Sequence, residues 1–150
     1  MAMKVMLVNG SPHKNGCTNR ALDEIEGTLA AEGIEVGRFW VGTKPIAGCI
    51  GCAYCRDHGG QCVFNDIVNR FNEIAGDYDG FIFGSPVHYA AATGAITSFM
   101  DRSFYSQAMG GVNIYPHKPA ACVVSARRAG NTSTFDQLNK YFSIVQMPIV

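Results

Sequence analysis

Cys49, Cys52, Cys55 and Cys62 form a C-x2-C-x2-C-x6-C pattern, which gathers four of the chain's six cysteines into one short stretch. Three thiols at successive x2 spacings let one tight loop reach three corners of a cubane iron–sulfur cluster, and a fourth thiol closes it. Bacterial ferredoxin runs use the same repeated spacing. Four thiolates also satisfy a tetrahedral zinc ion, although zinc sites usually come as two C-x2-C pairs with a longer spacer. Free thiols with no metal are the third reading. Gly48, Gly51, Gly59 and Gly60 permit the turns that wrapping a cluster needs. His58 lies inside the segment, but four thiols already complete a ligand set.

A second group stands near the amino terminus, where Gly10-Ser11-Pro12-His13-Lys14-Asn15-Gly16-Cys17-Thr18-Asn19 separates an apolar run from a helical pattern. A helix start presents unpaired N–H groups and the positive end of its dipole, which suits a phosphate. Ser11, Thr18, Asn15 and Asn19 add neutral donors, and His13 and Lys14 add charge. The stretch is neither a Walker loop nor a G-x-G-x-x-G fingerprint. An ordinary helix start after a polar turn is the competing reading.

The elements that must hold these groups alternate. Lys4–Val8 reads as a buried strand. Thr18–Glu32 reads as an amphipathic helix, with Ala21, Leu22, Ile25 and Leu29 on one face. A second strand is expected over Ile34–Val41, and the cysteine segment follows as a loop over residues 48–63. A helix over Asp66–Ala75, a strand over Gly80–Gly84 and a helix over Thr93–Tyr105 come next. A fourth strand over Ala120–Ser125, a helix over Thr134–Ile144 and the start of a fifth strand over Val145–Val150 complete the chain. Strand–helix alternation with strands apolar on both faces implies a parallel sheet covered on two sides. In such sheets ligands bind beyond the carboxyl ends of the strands, near the topological switch point. The loops after the first, third and fourth strands are therefore where chemistry should sit.

At this point the chain resembles the NADPH-dependent FMN reductase-like branch of the flavodoxin-like proteins. Three motifs in order carry the resemblance: Gly10-Ser11-Pro12 with Asn15-Gly16 and Thr18, Gly84-Ser85-Pro86-Val87-His88-Tyr89, and Phe99-Met100-Asp101-Arg102. It spans nearly the whole chain and implies an α/β flavodoxin-like fold, a doubly wound parallel sheet in three αβα layers and a single domain over residues 1–150. It implies FMN as cofactor, with phosphate contacts at Ser11, His13, Asn15, Cys17 and Thr18, beside which the Asn19 amide is a further candidate for cofactor binding. Ring contacts would fall on Ser85, Pro86, Val87, His88 and Tyr89, and the loop after the fourth strand, beginning at Ser125, would border the pyrimidine edge. His88 and Tyr89 are the candidates for proton donation. Cys17 departs from the family's usual polar residue, and Arg127-Arg128 stands where glycine is frequent; two arginines there could bind a phosphate of NAD(P)H. Family members usually run on past this end, so the fifth strand would be cut short.

The four-cysteine pattern is similar to that of the iron–sulfur flavoprotein subgroup, in which a [4Fe–4S] cluster accompanies FMN. That resemblance implies an electron-transfer oxidoreductase working between a reduced donor, such as a ferredoxin-type protein, and an acceptor. Two alternatives remain open: an FMN-only NAD(P)H-dependent quinone or azo reductase, and a zinc-stapled binding module that is not an enzyme. The resemblance also implies a homodimer or homotetramer.

The totals narrow the field further. A chain of 150 residues with 47% hydrophobic and 16% charged composition suits one globular domain. Twelve basic residues balance twelve acidic ones, so no global field attracts nucleic acid or anionic lipid. No apolar run approaches the roughly 20 residues of a membrane span, and no signal-peptide pattern opens the chain. A cytoplasmic location with reduced thiols is expected. Cys122, within the fourth strand, reads as a small buried hydrophobe, and Asp101-Arg102 reads as a structural or subunit-contact pair.

Overall fold

A computed structural model describes residues 3–150. Its strands are β1 (Lys4–Asn9), β2 (Glu35–Trp40), β3 (Gly80–His88), β4 (Ala91–Ala92) and β5 (Ala120–Ser125). Its helices are α1 (Cys17–Ala31), α2 (Tyr54–Asp57), α3 (Ile67–Ala75), α4 (Gly94–Met109) and α5 (Asn131–Ile144). The parallel order is β2-β1-β3-β5, with β4 folded back antiparallel onto the end of β3. From β1 the chain winds outward to β2 through α1, then crosses to β3 on the other side. The switch point therefore lies between the carboxyl ends of β1 and β3. This is the expected flavodoxin-like three-layer architecture.

Parallel neighbours need crossovers, and each crossover supplies a covering helix. On one face α1 packs Leu22, Ile25 and Leu29 against Val5, Leu7, Ile82 and Val123. The other face carries the larger core, where Phe71 meets Phe81, Phe83 and Phe99 edge to face and Phe81 stacks on Phe83 between the sheet and α3, α4 and α5. Asp66 caps α3, its carboxylate accepting from the Val68 N–H, and Thr93 caps α4 by accepting from Ile96.

Several boundaries differ from expectation, among them the end of α4, which runs past Tyr105 to Met109. The third strand does not stop at Gly84 but continues to His88, so the Ser85–His88 part of the second motif is strand rather than loop. β5 pairs with Ser85 and Pro86, and β4 pairs with Val87 and His88. Pro86 is tolerated because β1 ends opposite Gly84, leaving that side of β3 without a ladder for the missing N–H. The last helix begins at Asn131, three residues early. The expected strand over Val145–Val150 shrinks to a bridge between Ile149 and Ala120, because a turn around Gln146 consumes the preceding residues. The cysteine segment, expected as a loop, contains the single helical turn α2. No helix among the described residues is long and apolar enough to cross a membrane.

Candidate functional site

The turn after β1 is folded in advance by its own polar groups. Asn9 accepts from the Ser11 N–H at 2.9 Å, Ser11 Oγ accepts from the His13 N–H at 3.1 Å, and the Trp40 indole donates to the Ser11 carbonyl at 2.8 Å. α1 then starts at Gly16 with no side-chain cap and no acidic residue in its first turn. The opening N–H groups of a 15-residue helix thus face this turn without a protein acceptor from a capping side chain. Lack of an acidic residue leaves the dipole's positive end uncompensated, as an anion site requires.

His13, Lys14, Asn15 and Cys17 are exposed around the turn, whereas Ser11 and Thr18 are buried. Thr18 Oγ1 meets Ser125 Oγ at 2.9 Å, so the end of β5 is tied to the start of α1. Close approach makes this contact depend on Gly84, where a Cβ would stand 2.8 Å from the Thr18 methyl. The Asn19 amide donates to both Asp23 oxygens, while its Oδ1 accepts from Arg38 and, at 3.5 Å, from the Asn9 amide of the turn.

At the end of β3, Ser85 is fully buried and its hydroxyl accepts from the Thr93 N–H, while Thr93 Oγ1 donates to the Gly10 carbonyl. Ser85 therefore braces the two loops against each other. Pro86 and Val87 are half-buried, His88 is exposed, and Tyr89 projects fully into solvent from a left-handed backbone with φ of 61°. Arg127 and Arg128 are exposed on the loop between β5 and α5. Ser11, Thr18, Ser85, Ser125 and the uncapped helix start all meet at the switch point.

The cysteine segment forms a separate centre on the outer side of α4. Cys49, Cys52, Cys55 and Cys62 line one apolar cavity with Ile50, Ala53, Val63 and Phe64, closed from the helix side by Arg102, Tyr105 and Ser106. Gly60 rests directly on Gly110, and its φ of +81° together with a Cβ position only 2.9 Å from Gln107 Nε2 excludes a side chain. All six cysteines are free thiols; Cys49 and Cys52 are exposed and Cys55 is buried. Burial pushes the Cys55 thiol up, a backbone hydrogen bond pulls it partly back, and the Cys62, Cys49 and Cys52 sulfurs raise it again. Among the described residues no three His, Cys, Asp or Glu side chains are drawn together tightly enough to hold a single metal ion.

The residues around Cys62 are the ones that sequence reasoning missed. Asn69 accepts from the Cys62 N–H at 2.8 Å and donates to its carbonyl at 2.9 Å. Arg102, with its side chain wholly buried, donates Nε–H to Cys62 Sγ at 3.2 Å and forms a two-point pair with Asp66. Burial works against the Arg102 charge, but the hydrogen bonds to Asp66 and Cys62 outweigh it and hold its pKa above the ordinary value. Asp101 is not its partner: that carboxylate accepts from Tyr141. Adjacent helix positions do not share a face, which was the signal available in the sequence.

The profile of the NADPH-dependent FMN reductase family matches residues 3–150. The chain belongs to that family. Within it, an iron-sulfur flavoprotein of Methanocaldococcus jannaschii is 32% identical over 149 residues, covering 99% of this chain and 76% of that one. An iron-sulfur flavoprotein of Archaeoglobus fulgidus is 33% identical over 100 residues, covering 67% of this chain but 45% of its own length. The matched stretch thus spans about half of that relative. Among solved structures, an NADH:FMN oxidoreductase in its apo form superposes with a TM-score of 0.70 at 16% identity, covering 99% of this chain and 73% of that one. At that identity the likeness speaks for the fold alone. As a member of the NADPH-dependent FMN reductase family the chain is an oxidoreductase of the flavoprotein class.

Proposed function

We propose that the chain is an FMN-dependent electron-transfer oxidoreductase. It holds the FMN phosphate at the turn between β1 and α1 and a [4Fe–4S] cluster on Cys49, Cys52, Cys55 and Cys62. The observation that carries this reading is that all four cysteines of the spaced motif line one cavity in a fold whose switch point ends in an uncapped helix. The names of the curated relatives support the same pairing.

The residues present fit both groups. The phosphate turn offers backbone N–H donors, the Ser11 and Thr18 hydroxyls and the exposed His13 and Lys14, with no acidic side chain in the first turn of α1 to oppose an anion. His88 and Tyr89, at the exposed end of β3, would lie along the flavin ring, with Pro86 and Val87 behind them and the Ser125 loop at its far edge. The cysteine cavity offers four sulfurs, apolar walls and one cationic donor, the chemistry an anionic iron–sulfur centre requires. Three cysteines at successive x2 spacings, rather than two C-x2-C pairs with a longer spacer, favour the cluster over a zinc ion.

Bound FMN exchanges electrons in ones or twos and the cluster exchanges them singly, so together they couple a one-electron donor to a two-electron acceptor. The protein's part is to bind and orient: α1 fixes the phosphate, Ser85 and Thr93 lock the loops of β1 and β3 together, and the α4 face backs the cysteines. His88 is the exposed group at the mouth able to deliver a proton to a reduced acceptor. NAD(P)H or a ferredoxin-type protein would supply the electrons, with Arg127 and Arg128 available to a nicotinamide cofactor's phosphates. Exposed Tyr89, Ile50, Tyr54 and Val63 near the two centres suit contact with a second copy of the chain.

Anaerobic purification followed by flavin extraction and assays for iron, sulfide and zinc tests the proposal. One FMN and four iron per chain are expected. Flavin without iron, together with NAD(P)H:quinone turnover, would establish the cluster-free reductase instead, and stoichiometric zinc with no flavin uptake would establish the binding module.

A further inference from the structure

We infer, building on the four-cysteine cluster proposed above, that Arg102 and Asp66 form an electrostatic regulator of the cluster, acting through the Arg102 Nε–H bond to Cys62 Sγ and setting its reduction potential with opposite signs.

The guanidinium has five N–H donors and no acceptor. Here every one finds a partner: Cys62 Sγ at 3.2 Å, Asp66 Oδ2 at 2.6 Å, Asp66 Oδ1 at 2.9 Å, the Phe64 carbonyl at 3.1 Å and the Ala47 carbonyl at 3.4 Å. Its plane also lies against the Phe64 ring, 4.9 Å from the centroid. A planar fork satisfied at each corner has one orientation, so the Nε–H is held on the sulfur rather than visiting it. The sulfur is equally fixed, because Asn69 grips the Cys62 backbone through both its N–H and its C=O. Cys62 is thus the thiol whose surroundings are most completely determined, whereas Cys49 and Cys52 face solvent.

A buried arginine is expensive to keep, and an ion pair alone is a weak reason to keep one. Asp66 would neutralise a guanidinium placed anywhere within reach, and an apolar side chain at position 102 would fill the helix face. What the arginine adds is a donor aimed at a cysteine sulfur. Hydrogen bonds to ligating sulfurs and the net charge nearby are among the factors that set iron–sulfur potentials. Reduction adds negative charge to the centre and its sulfurs. A positive N–H donor at Cys62 therefore favours the reduced state and raises the midpoint, while the Asp66 carboxylate behind it offsets part of that effect. Screening is weak because the Arg102 side chain is inaccessible to solvent.

Opposite signs from the two members of one ion pair distinguish this role from scaffolding. Arg102→Gln removes the positive charge and should lower the midpoint by about tenfold in the reduction equilibrium, ~59 mV for a one-electron couple. Asp66→Asn keeps an amide oxygen for the Val68 cap and the guanidinium but removes the negative charge, and should raise the midpoint by a similar factor. Arg102→Lys, which retains the charge, should fall between Arg102→Gln and wild type. The experiment is an EPR-monitored redox titration of the anaerobically reconstituted full chain, with iron and sulfide assayed on the same samples. Wild type without iron would defeat the cluster assignment and the regulator with it. Wild type with four iron, but with variants that keep the wild-type midpoint, shift it in one common direction or all lose iron, would overturn the regulator and leave the cluster assignment standing.

Discussion

Placing a carboxylate at the start of α1 should make the flavin-free protein more stable and its FMN weaker. Gly16 is the N-cap residue, with extended backbone (φ −86°, ψ −169°) open to any L residue. A Cβ there would lie 3.1 Å from the Cβ of exposed His13, which can give by a few tenths of an ångström. In Gly16→Asp the side chain can accept from the N–H of Thr18 or Asn19. The cap itself is worth only a few tenths of a kcal/mol over glycine, the dipole interaction adds about 0.3–1 kcal/mol, and loss of glycine's freedom in the unfolded chain adds about 0.4–1 kcal/mol. After the tight contact is deducted, roughly 1 kcal/mol remains, or about 2–4 °C in Tm for a chain of this size. The same carboxylate repels a phosphate of charge near −2. At about 5 Å the repulsion is ~1.7 kcal/mol at water's dielectric constant and ~6.6 kcal/mol at an effective value of 20. FMN affinity should therefore fall by at least about tenfold, and less so at high salt. Riboflavin, which has no phosphate, should bind as before. Quenching titrations of deflavinated protein with both flavins, beside a thermal melt, measure each arm. Unchanged FMN affinity, or an equal loss for FMN and riboflavin, would refute the placement of the phosphate.

Gly84→Ala pushes a methyl to 2.8 Å from Thr18 Cγ2 and 3.2 Å from Leu22 Cδ1, so it should cost about 1–3 kcal/mol by overpacking, read as a lower Tm and weaker FMN binding. An unaltered melt would show that α1 is not seated on β3 as described. Cys122 should react with a thiol reagent at pH 8 far more slowly than the exposed Cys17, since burial pushes its thiol up to about 11; mass mapping of the labelled sites during a time course on metal-free protein checks the order. Burial also raises the Tyr115 phenol above its ordinary value of 10, against a smaller lowering by the Ser103 hydrogen bond. The folded chain then holds a proton that the unfolded chain releases, so this contribution is complete below pH 10 and falls by ~1.4 kcal/mol per pH unit above it. Urea midpoints between pH 9 and 11 should drop less steeply for Tyr115→Phe than for wild type, and parallel slopes would count against the assignment.

What could be read from the sequence was what the chain encodes locally. The turn after β1 and the helical faces of α1 and α3 each depend on residues a few positions apart, and each was visible; the capping role of Asp66, placed inside the expected helix, was not. The strand-like run Gly80–Gly84 was visible too, but its continuation through Pro86 was not, because proline ends a strand only where a ladder needs its N–H. Whether a ladder stands there depends on β1 stopping at Asn9, which is a property of the sheet. The Asn19 amide is a donor by its place in the sequence; that this amide is engaged by Asp23, with Arg38 reaching its Oδ1 from β2, is a property of the fold.

The cysteine centre shows the same division more sharply. Spacing alone brought the four thiols to notice, and they do share a cavity. The wall behind them was hidden because it is built from α4, 36 to 40 residues further along the chain at its contacts with Asp66 and Cys62. α4 nevertheless carried a sign of a second packed face. Ile96, Phe99, Met100 and Phe104 suffice to cover the sheet, yet Arg102, Ser103, Ser106 and Gln107 are buried as well. Ser103 and Ser106 bond Asn72 of α3, and Ser103 also meets the Tyr115 hydroxyl, whereas Arg102 and Gln107 turn to the cysteine segment, where backbone carbonyls and a sulfur need donors. Gln107 donates to the Gly60 carbonyl and Arg102 to those of Ala47 and Phe64, so the cysteine segment is fastened to the domain chiefly by hydrogen bonds to its main chain. Such fastening leaves the exposed Cys49 and Cys52 side chains free to turn toward the fixed Cys62, which is what a ligand loop needs and an ordinary apolar crossover does not.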